Sequence, residues 1–268
     1  RAILEAPVDV TFAVPAIYAY LLMAVERGKF PKEGLARQKL LISGGDRLNP
    51  NLHEQALHLT GRDIMEGYGL TETSPVVTIN RSYETHRSGS VGPFLDSYEH
   101  KLRTREGQDT QENEGVLWVR GPSVTRGYFR APELTAERFE DGWFNTGDYV
   151  RIEDGFVRIL DRVTDILIVG GFNVYPQEVE KVLAGHPAVQ TAIVVGIPHD
   201  INGEVPKAYI QRKDGATVTE RELIRYAKEH LAHFKAPRSI EFVDEFPLSG
   251  TGKILRRILR ERAGKKSL

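Results

Sequence analysis

The chain has 268 residues, 40% of them hydrophobic and 27% charged, enough to bury the core of one large domain or two smaller ones. Thirty-six Lys and Arg against 37 Asp and Glu leave a net charge of −1, which points to neither a nucleic-acid nor a membrane-surface partner. Cysteine is absent, so disulfides, thiolate metal sites and a cysteine nucleophile are excluded within this sequence.

In chain order, residues 8–14 read as a short buried strand, and Pro15 opens a helix that tolerates proline in its first turn. Residues 39–43 are a second strand. Asn49 and Pro50 then signal a helix with Leu52, Ala56, Leu57 and Leu59 on one face before Gly61. A further strand starts at Asp63, and the alternation argues for α/β layering with parallel pairing. From Arg87 to Leu160 short strands are broken by Gly, Pro and Asp, the texture of a small antiparallel or barrel-like subdomain. After Asp161 and Arg162 the α/β rhythm returns. A helix runs from Pro176 to near Gly185, and residues 192–196 form a strand. Thr219 and Glu222 make a capping box for a helix with Leu223, Ala227 and Leu231 on one side, and residues 239–243 form another strand. A last basic helix begins at Lys253, and its cations, interrupted by Glu261, read as a solvated face rather than a phosphate-tracking patch. The domain boundary is expected at residues 161–164. No apolar run is long enough to span a bilayer and no basic-then-apolar leader is present, so a cytoplasmic or organelle-matrix protein is expected.

Residues 66–73 are the first segment with chemistry in it. Gly67 and Gly69 let a backbone pass close to a ligand, Thr71 offers a hydroxyl suited to phosphate, and Glu72 a hard oxygen for Mg²⁺. The same string also reads as a strand-to-loop turn, and it is no dinucleotide fingerprint because Glu72 takes the place of the third glycine. Gly44, Gly45 and Asp46 follow a strand and precede a helix, where open α/β sheets bind ligands and where ordinary tight turns also occur. Asp148, directly after Gly147 and between short strands, suits paired hydrogen bonds from ribose hydroxyls, or a plain hairpin turn. Arg162 has the reach for a sugar or phosphate, and Gly170 and Gly171 before Phe172 permit close passage of a ligand. A linker ion pair and a β-turn are the plain alternatives. Lys253 ends a Gly-rich loop, residues 249–253, from which an ammonium can swing onto an anionic centre. That loop fails as a Walker motif, because Pro247 and Ile254 stand where Gly and Ser or Thr belong.

Taken in order, Gly44 and Gly45, residues 67–72, 127–129 and 143–148, Asp161 with Arg162, and residues 171–180 and 250–257 make the chain resemble the adenylate-forming superfamily. That superfamily holds acyl-CoA synthetases, peptide-synthetase adenylation domains and luciferases. Residues 171–176 and 253–257 are most similar to its fatty-acyl-CoA ligase branch. The resemblance implies an α/β and α+β fold. Residues 1–161 would be a partial large α/β domain, with residues 87–160 a small β-barrel-like subdomain, followed by a mobile small α+β carboxy-terminal domain over residues 162–268.

It further implies that Tyr68 stacks on adenine beside the backbone of Gly44, Gly45 and Asp46, with Gly67 and Gly69 in the same nucleotide segment. Thr71 meets the α-phosphate, Glu72 helps hold Mg²⁺, Asp148 and Arg162 hold the ribose, and Lys253 bridges the acid and the α-phosphate. The small domain then rotates after Arg162 and presents Gly170, Gly171 and Phe172 to the pantetheine arm of coenzyme A. ATP, Mg²⁺, coenzyme A and a small-molecule carboxylic acid are the implied cofactors and partners, and a homo-oligomer is compatible with the sequence. A medium- or long-chain aliphatic acid is expected, its pocket drawing on Val14, Ile17 and Gly67. Two departures stand out. Thr164 occupies a hinge position that is usually Asp or Lys. No Pro-Lys-Gly phosphate loop precedes Gly67, so a partial chain with little ligase activity of its own is expected. Delivery to a carrier-protein pantetheine and a non-catalytic nucleotide-binding remnant are the alternatives.

Overall fold

The computed structural model describes residues 7–250 and 253–265; Thr251 and Gly252 of the Gly-rich loop lie outside them. The chain divides between Ile159 and Leu160 into two compact units.

In the first unit, β1 (Val10–Ala13), β2 (Leu40–Ser43) and β3 (Met65–Gly69) pair in parallel, and β4 (Val76–Ile79) runs antiparallel to β3. Helices α1 (Pro15–Glu26), α2 (Glu33–Ala36) and α3 (Pro50–Thr60) connect the parallel strands. Their apolar sides meet in a core of Tyr18, Leu22, Leu35, Leu41, Leu52, Ala56 and Ile64. The chemistry that starts and stops α3 is local: Asn49 Oδ1 accepts from Asn51 N at 2.9 Å, and Gly61 ends it with φ +67°. Leu57, expected on the buried face, is 50% exposed, because it follows Ala56 by a single residue and so lies about 100° round the helix.

The strand expected over residues 8–14 is confined to Val10–Ala13 and is not buried throughout. Val10 and Phe12 are 45% and 54% exposed, while Thr11 between them is buried and donates to Gln38 Oε1. β1 is the edge strand of a sheet whose helical core covers one face, so alternate residues point away from that core.

The rest of this unit is an antiparallel sheet. It holds β5 (Glu99–Arg103), β6 (Asp109–Thr110), β7 (Glu114–Arg120), β8 (Phe139–Glu140), β9 (Trp143–Glu153) and β10 (Phe156–Arg162). The order is β10-β9-β7-β5-β6, with β8 beside β9 and α4 (Pro132–Arg138) leading into β8. Val77, Leu117, Val119, Phe144, Val150 and Val157 form its core.

In the second unit β11 (Leu167–Val169), β12 (Phe172–Val174), β13 (Val189–His199) and β14 (Gly203–Arg212) form a sheet of order β12-β11-β14-β13, and β15 (Ser239–Phe242) pairs in parallel with β14. Helices α5 (Pro176–Ala184), α6 (Glu220–His230) and α7 (Arg256–Lys265) complete it. β13 reads as a continuous apolar run because both of its faces are covered. Ala192 and Val194 pack into the core that holds Val179 and Leu183 of α5 and Leu223 and Ala227 of α6, while Ile193 and Val195 pack with Leu259 and Ala263 of α7. The predicted capping box is present, with Thr219 Oγ1 accepting from Glu222 N at 3.3 Å and Glu222 Oε2 accepting from Thr219 N at 2.8 Å.

The basic tail departs from expectation. The helix starts at Arg256 rather than Lys253, and its cations are not simply solvated: Arg256 pairs with Glu180 and Arg260 with Asp165. Among the described residues no helix is long and apolar enough to cross a membrane.

Candidate active site

The first unit gathers the upstream motifs around the carboxyl ends of β2 and β3. Because the two strands are parallel with Ser43 opposite Glu66, Gly44 follows directly beside Gly67. A Cβ on Gly44 would come within 3.5 Å of the Gly67 carbonyl and 3.2 Å of Phe12 Cε1, and Gly45 has φ +82°. Gly44 is buried while Gly45 and Asp46 are exposed, with Asp46 Oδ1 accepting from Arg47 N at 2.8 Å. Ser43, only 1% exposed, has an Oγ with no hydrogen-bond partner among the described residues, a buried polar atom beside this loop that a ligand would satisfy.

Tyr68 and Asp148, 80 residues apart, meet: the phenol donates to Asp148 Oδ2 in a short hydrogen bond. Asp148, read in the sequence as lying between short strands, is inside the 11-residue strand β9, so the plain hairpin alternative does not hold. Between Val116 and Trp118 the β7–β9 register slips by two residues, so residues 146–148 bulge, with φ +73° at Gly147. Such a bulge re-aims a side chain without ending the strand. Thr146 Oγ1 donates to Leu117 O at 2.8 Å and accepts from Asp148 N at 3.1 Å, which holds the bulge in place.

Gly69 has an additional reason to be glycine. A Cβ there would lie 1.8 Å from the Pro75 carbonyl oxygen, whereas one on Gly67 would make only ordinary contacts of 3.4 Å to Ile79 Cγ1 and Thr78 O. The close approach at Gly69 is therefore to the chain's own backbone. Thr71 opens a single 3₁₀ turn and is exposed, while Thr73 is fully buried and is spent on local bonds to Leu70 and Pro75.

Glu72 is half-buried. Its Oε1 accepts from Tyr128 Oη at 2.8 Å and its backbone carbonyl from Thr125 N at 2.7 Å. Burial, and then the bond to Glu72, hold the Tyr128 phenol above its ordinary pKa. No role for Tyr128 was legible in the sequence, although residues 127–129 already stood in the ordered set of motifs. The structure accounts for Gly127: a Cβ there would meet Thr135 Cγ2 at 2.6 Å, and Thr135 Oγ1 accepts from Tyr128 N at 2.9 Å. Glu66, also not singled out, lies just before Gly67; burial pushes its carboxyl up against a weak bond from Leu48 N at 3.5 Å.

Among the described residues no group of three or more His, Asp or Glu side chains can enclose a metal ion. A single carboxylate such as Glu72 does suit Mg²⁺, which takes most of its ligands from phosphate oxygens and water.

In the second unit, Arg162 is exposed at the end of β10, and its carbonyl accepts from Asp165 N at 2.9 Å and Ile166 N at 3.2 Å, which turns the chain through an exposed Thr164. Gly170 and Gly171 are the two-residue turn of the β11–β12 hairpin, with Val169 paired to Phe172 and φ of +58° and +88°. Phe172 is 62% exposed with its ring 5.0 Å from that of Phe234. Lys253 is exposed, on a loop closed by its own backbone: Ser249 N donates to Lys253 O at 2.8 Å and Lys253 N to Ser249 Oγ at 3.1 Å.

Comparison with known proteins places these sites in context. A family model described as AMP-binding enzyme matches residues 1–129, and one described as AMP-binding enzyme C-terminal domain matches residues 178–253. A long-chain-fatty-acid–CoA ligase of Yersinia pestis is 43% identical over 225 residues, 83% of this chain and 40% of the relative. Feruloyl-CoA synthase of Amycolatopsis sp is 35% identical over 266 residues, 98% of this chain and 53% of the relative. The crystal structure of ATP-bound MatB from Rhodopseudomonas palustris matches with a TM-score of 0.88 at 36% identity, covering 97% of this chain and 52% of that one. The chain thus spans 40 to 53% of the length of these relatives.

Proposed function

The chain belongs to the adenylate-forming AMP-binding enzymes, and from that premise we propose that it is a carboxy-terminal portion of an ATP-dependent acid–thiol ligase. The complete enzyme converts a carboxylic acid and ATP to an acyl adenylate and pyrophosphate, then passes the acyl group to the thiol of coenzyme A with release of AMP. The observation that carries the reading is the meeting of Tyr68 with Asp148, which puts an aromatic face and a buried carboxylate at one spot beside the Gly44–Gly45 loop. That combination suits a purine stacked on a ring and a ribose whose hydroxyls donate to a carboxylate. Thr71 and Glu72 follow within four residues, where the phosphates of such a nucleotide extend.

Adenylation drives one anion onto another, and charge grows on the nonbridging oxygens as pyrophosphate leaves. Lys253 supplies a positioned ammonium for that charge, the kind of electrostatic stabilisation that usually contributes most. When Mg²⁺ is bound it neutralises phosphate charge, and Glu72, oriented by Tyr128, is the side chain that would hold it. For the thioester step the ammonium must withdraw, and the exposed turn at Thr164 is the segment we assign to that movement. The fatty-acid ligases among the relatives favour an aliphatic acid.

The test supplies the full-length enzyme with ATP, Mg²⁺, coenzyme A and a panel of aliphatic and aryl acids. AMP and acyl-CoA are expected in equal amounts and most rapidly with aliphatic acids. Release of ADP in place of AMP, or a thioester formed only on an acyl carrier protein, would refute the reading.

The hairpin turn sharpens a test of the thiol path. Gly171→Leu would strain the positive φ as well as obstruct a ligand, whereas asparagine tolerates that conformation. Gly171→Asn is therefore expected to spare acyl-adenylate formation and slow thioester formation. Equal loss of both half-reactions would make Gly171 a turn residue and nothing more.

A further inference from the structure

Glu180 on α5 and Arg256 at the start of α7 are 76 residues apart, yet their side chains meet. Arg256 Nη1 donates to Glu180 Oε1 at 2.5 Å and to the Val194 carbonyl at 3.0 Å, and Nη2 donates to Glu180 Oε2 at 2.8 Å. Glu180 Oε1 accepts also from Val194 N at 2.7 Å, so β13 takes part on both sides of the pair. Asp161, 1% exposed, faces the same guanidinium while accepting from Arg162 N at 2.9 Å and Gln177 N at 3.1 Å. One turn further along α7, Arg260 Nη2 donates to Asp165 Oδ1 at 2.8 Å. Burial drives the Asp161 carboxyl up to about 6 in spite of Arg256. Burial also opposes the Arg256 charge, but Glu180 and Asp161 outweigh it and keep the guanidinium above its ordinary range.

The helix has anchorage besides this pair. Leu259 and Ala263 are sealed against Ile193, Val195 and Tyr209, and the Tyr209 hydroxyl donates to Leu259 O at 3.0 Å. A buried ion pair is in general a poor source of net stability, because desolvation offsets much of its attraction. What a two-pronged guanidinium–carboxylate contact adds is one fixed orientation.

Three residues before Arg256 is Lys253, at most about 10 Å back along the chain. The other end of the loop is tied by the Ser249–Lys253 bonds and by Leu255 N donating to Pro247 O at 2.8 Å. The lysine thus sits on a short stem whose root is held by Arg256.

We propose that Arg256, through its paired bonds to Glu180 and its bond to the Val194 carbonyl, is a positioning residue that fixes the base from which Lys253 presents its ammonium during adenylation. The inference rests on the reading of Lys253 given above. Because a displacement of about 1 Å at a reacting group can lower a rate about 100-fold, the effect is expected chiefly on the rate of one half-reaction, beyond any stability lost by leaving one partner of the pair uncompensated.

The experiment measures both half-reactions in the full-length enzyme for Arg256→Lys, which keeps the charge and loses the fork, and for Glu180→Gln, which keeps the shape and loses the charge. Lys253→Ala runs in parallel. Expected is a fall in adenylation kcat of about 10- to 100-fold, a KM for ATP within about 2-fold of wild type, and unaltered transfer from preformed acyl adenylate, with Arg256→Lys the milder of the two. Loss of both half-reactions together, or a lowered melting temperature that accounts for the loss, would make the pair structural and overturn the proposal. If Lys253→Ala slows adenylation while both pair variants match wild type, the proposal alone fails. Should Lys253→Ala itself leave adenylation intact, the reading of Lys253 fails first.

Discussion

Replacing Lys253 with alanine in the full-length enzyme is expected to slow acyl-adenylate formation about 100- to 1,000-fold, the loss usual when one preorganised charge-stabilising group is removed. Transfer of the acyl group from preformed adenylate to coenzyme A should remain close to wild type, because that step has no anion to be driven onto another. The variant should fold, since the loop is closed by the backbone of residue 253 rather than by its side chain: Ser249 N bonds to its carbonyl and Ser249 Oγ to its amide. Pyrophosphate exchange follows the first step, and single-turnover thioester formation follows the second. A parallel decline in both would mean that Lys253 holds the loop and takes no part in the chemistry.

Gly69→Ala is expected to have the largest effect on stability. Its Cβ would lie 1.8 Å from Pro75 O, 2.5 Å from Pro75 C and 2.9 Å from Val76 Cα, all backbone atoms that no rotamer can relieve. Pro75 O also accepts from Leu70 N at 3.0 Å, so the β3–β4 turn cannot open without losing that bond. The cost should be about 3 kcal/mol or more, the range of severe overpacking. Gly67→Ala, two residues earlier, meets nothing closer than 3.4 Å and should change stability by less than about 1 kcal/mol. Urea unfolding followed by tryptophan emission reads the right unit, because Trp118 and Trp143 are the two tryptophans of the chain and both lie in its antiparallel sheet. Equal midpoints for the two variants would contradict the tight turn at Gly69.

The elements visible in the sequence are those whose cause is a few residues long. Asn49 caps α3 and Gly61 ends it, and Thr219 and Glu222 cap α6. Gly170 and Gly171 form the β-turn that the sequence allowed, because consecutive positive φ angles suit glycine. The misread elements depend on what lies across the sheet. Phe12 and Leu57 are apolar, but only packing decides which apolar side chain faces the core. Asp148 reads in the sequence as lying between short strands; the bulge at Gly147 instead keeps it inside β9.

The sequence alone determined the class of chemistry in prospect, because the residue types suited to nucleotide, phosphate and acid (Tyr68, Thr71, Glu72, Asp148, Arg162 and Lys253) are present in a recognisable order whatever the fold does with them. Tertiary structure alone decided the pairings that give those residues their geometry: Tyr68 on Asp148, Tyr128 on Glu72, and Arg256 on Glu180 with the Val194 carbonyl. Each joins residues at least 56 positions apart. The physical reason is range: capping and turn chemistry act within a few residues of chain, whereas a hydrogen bond between distant side chains exists only after the sheets and helices that hold them have packed.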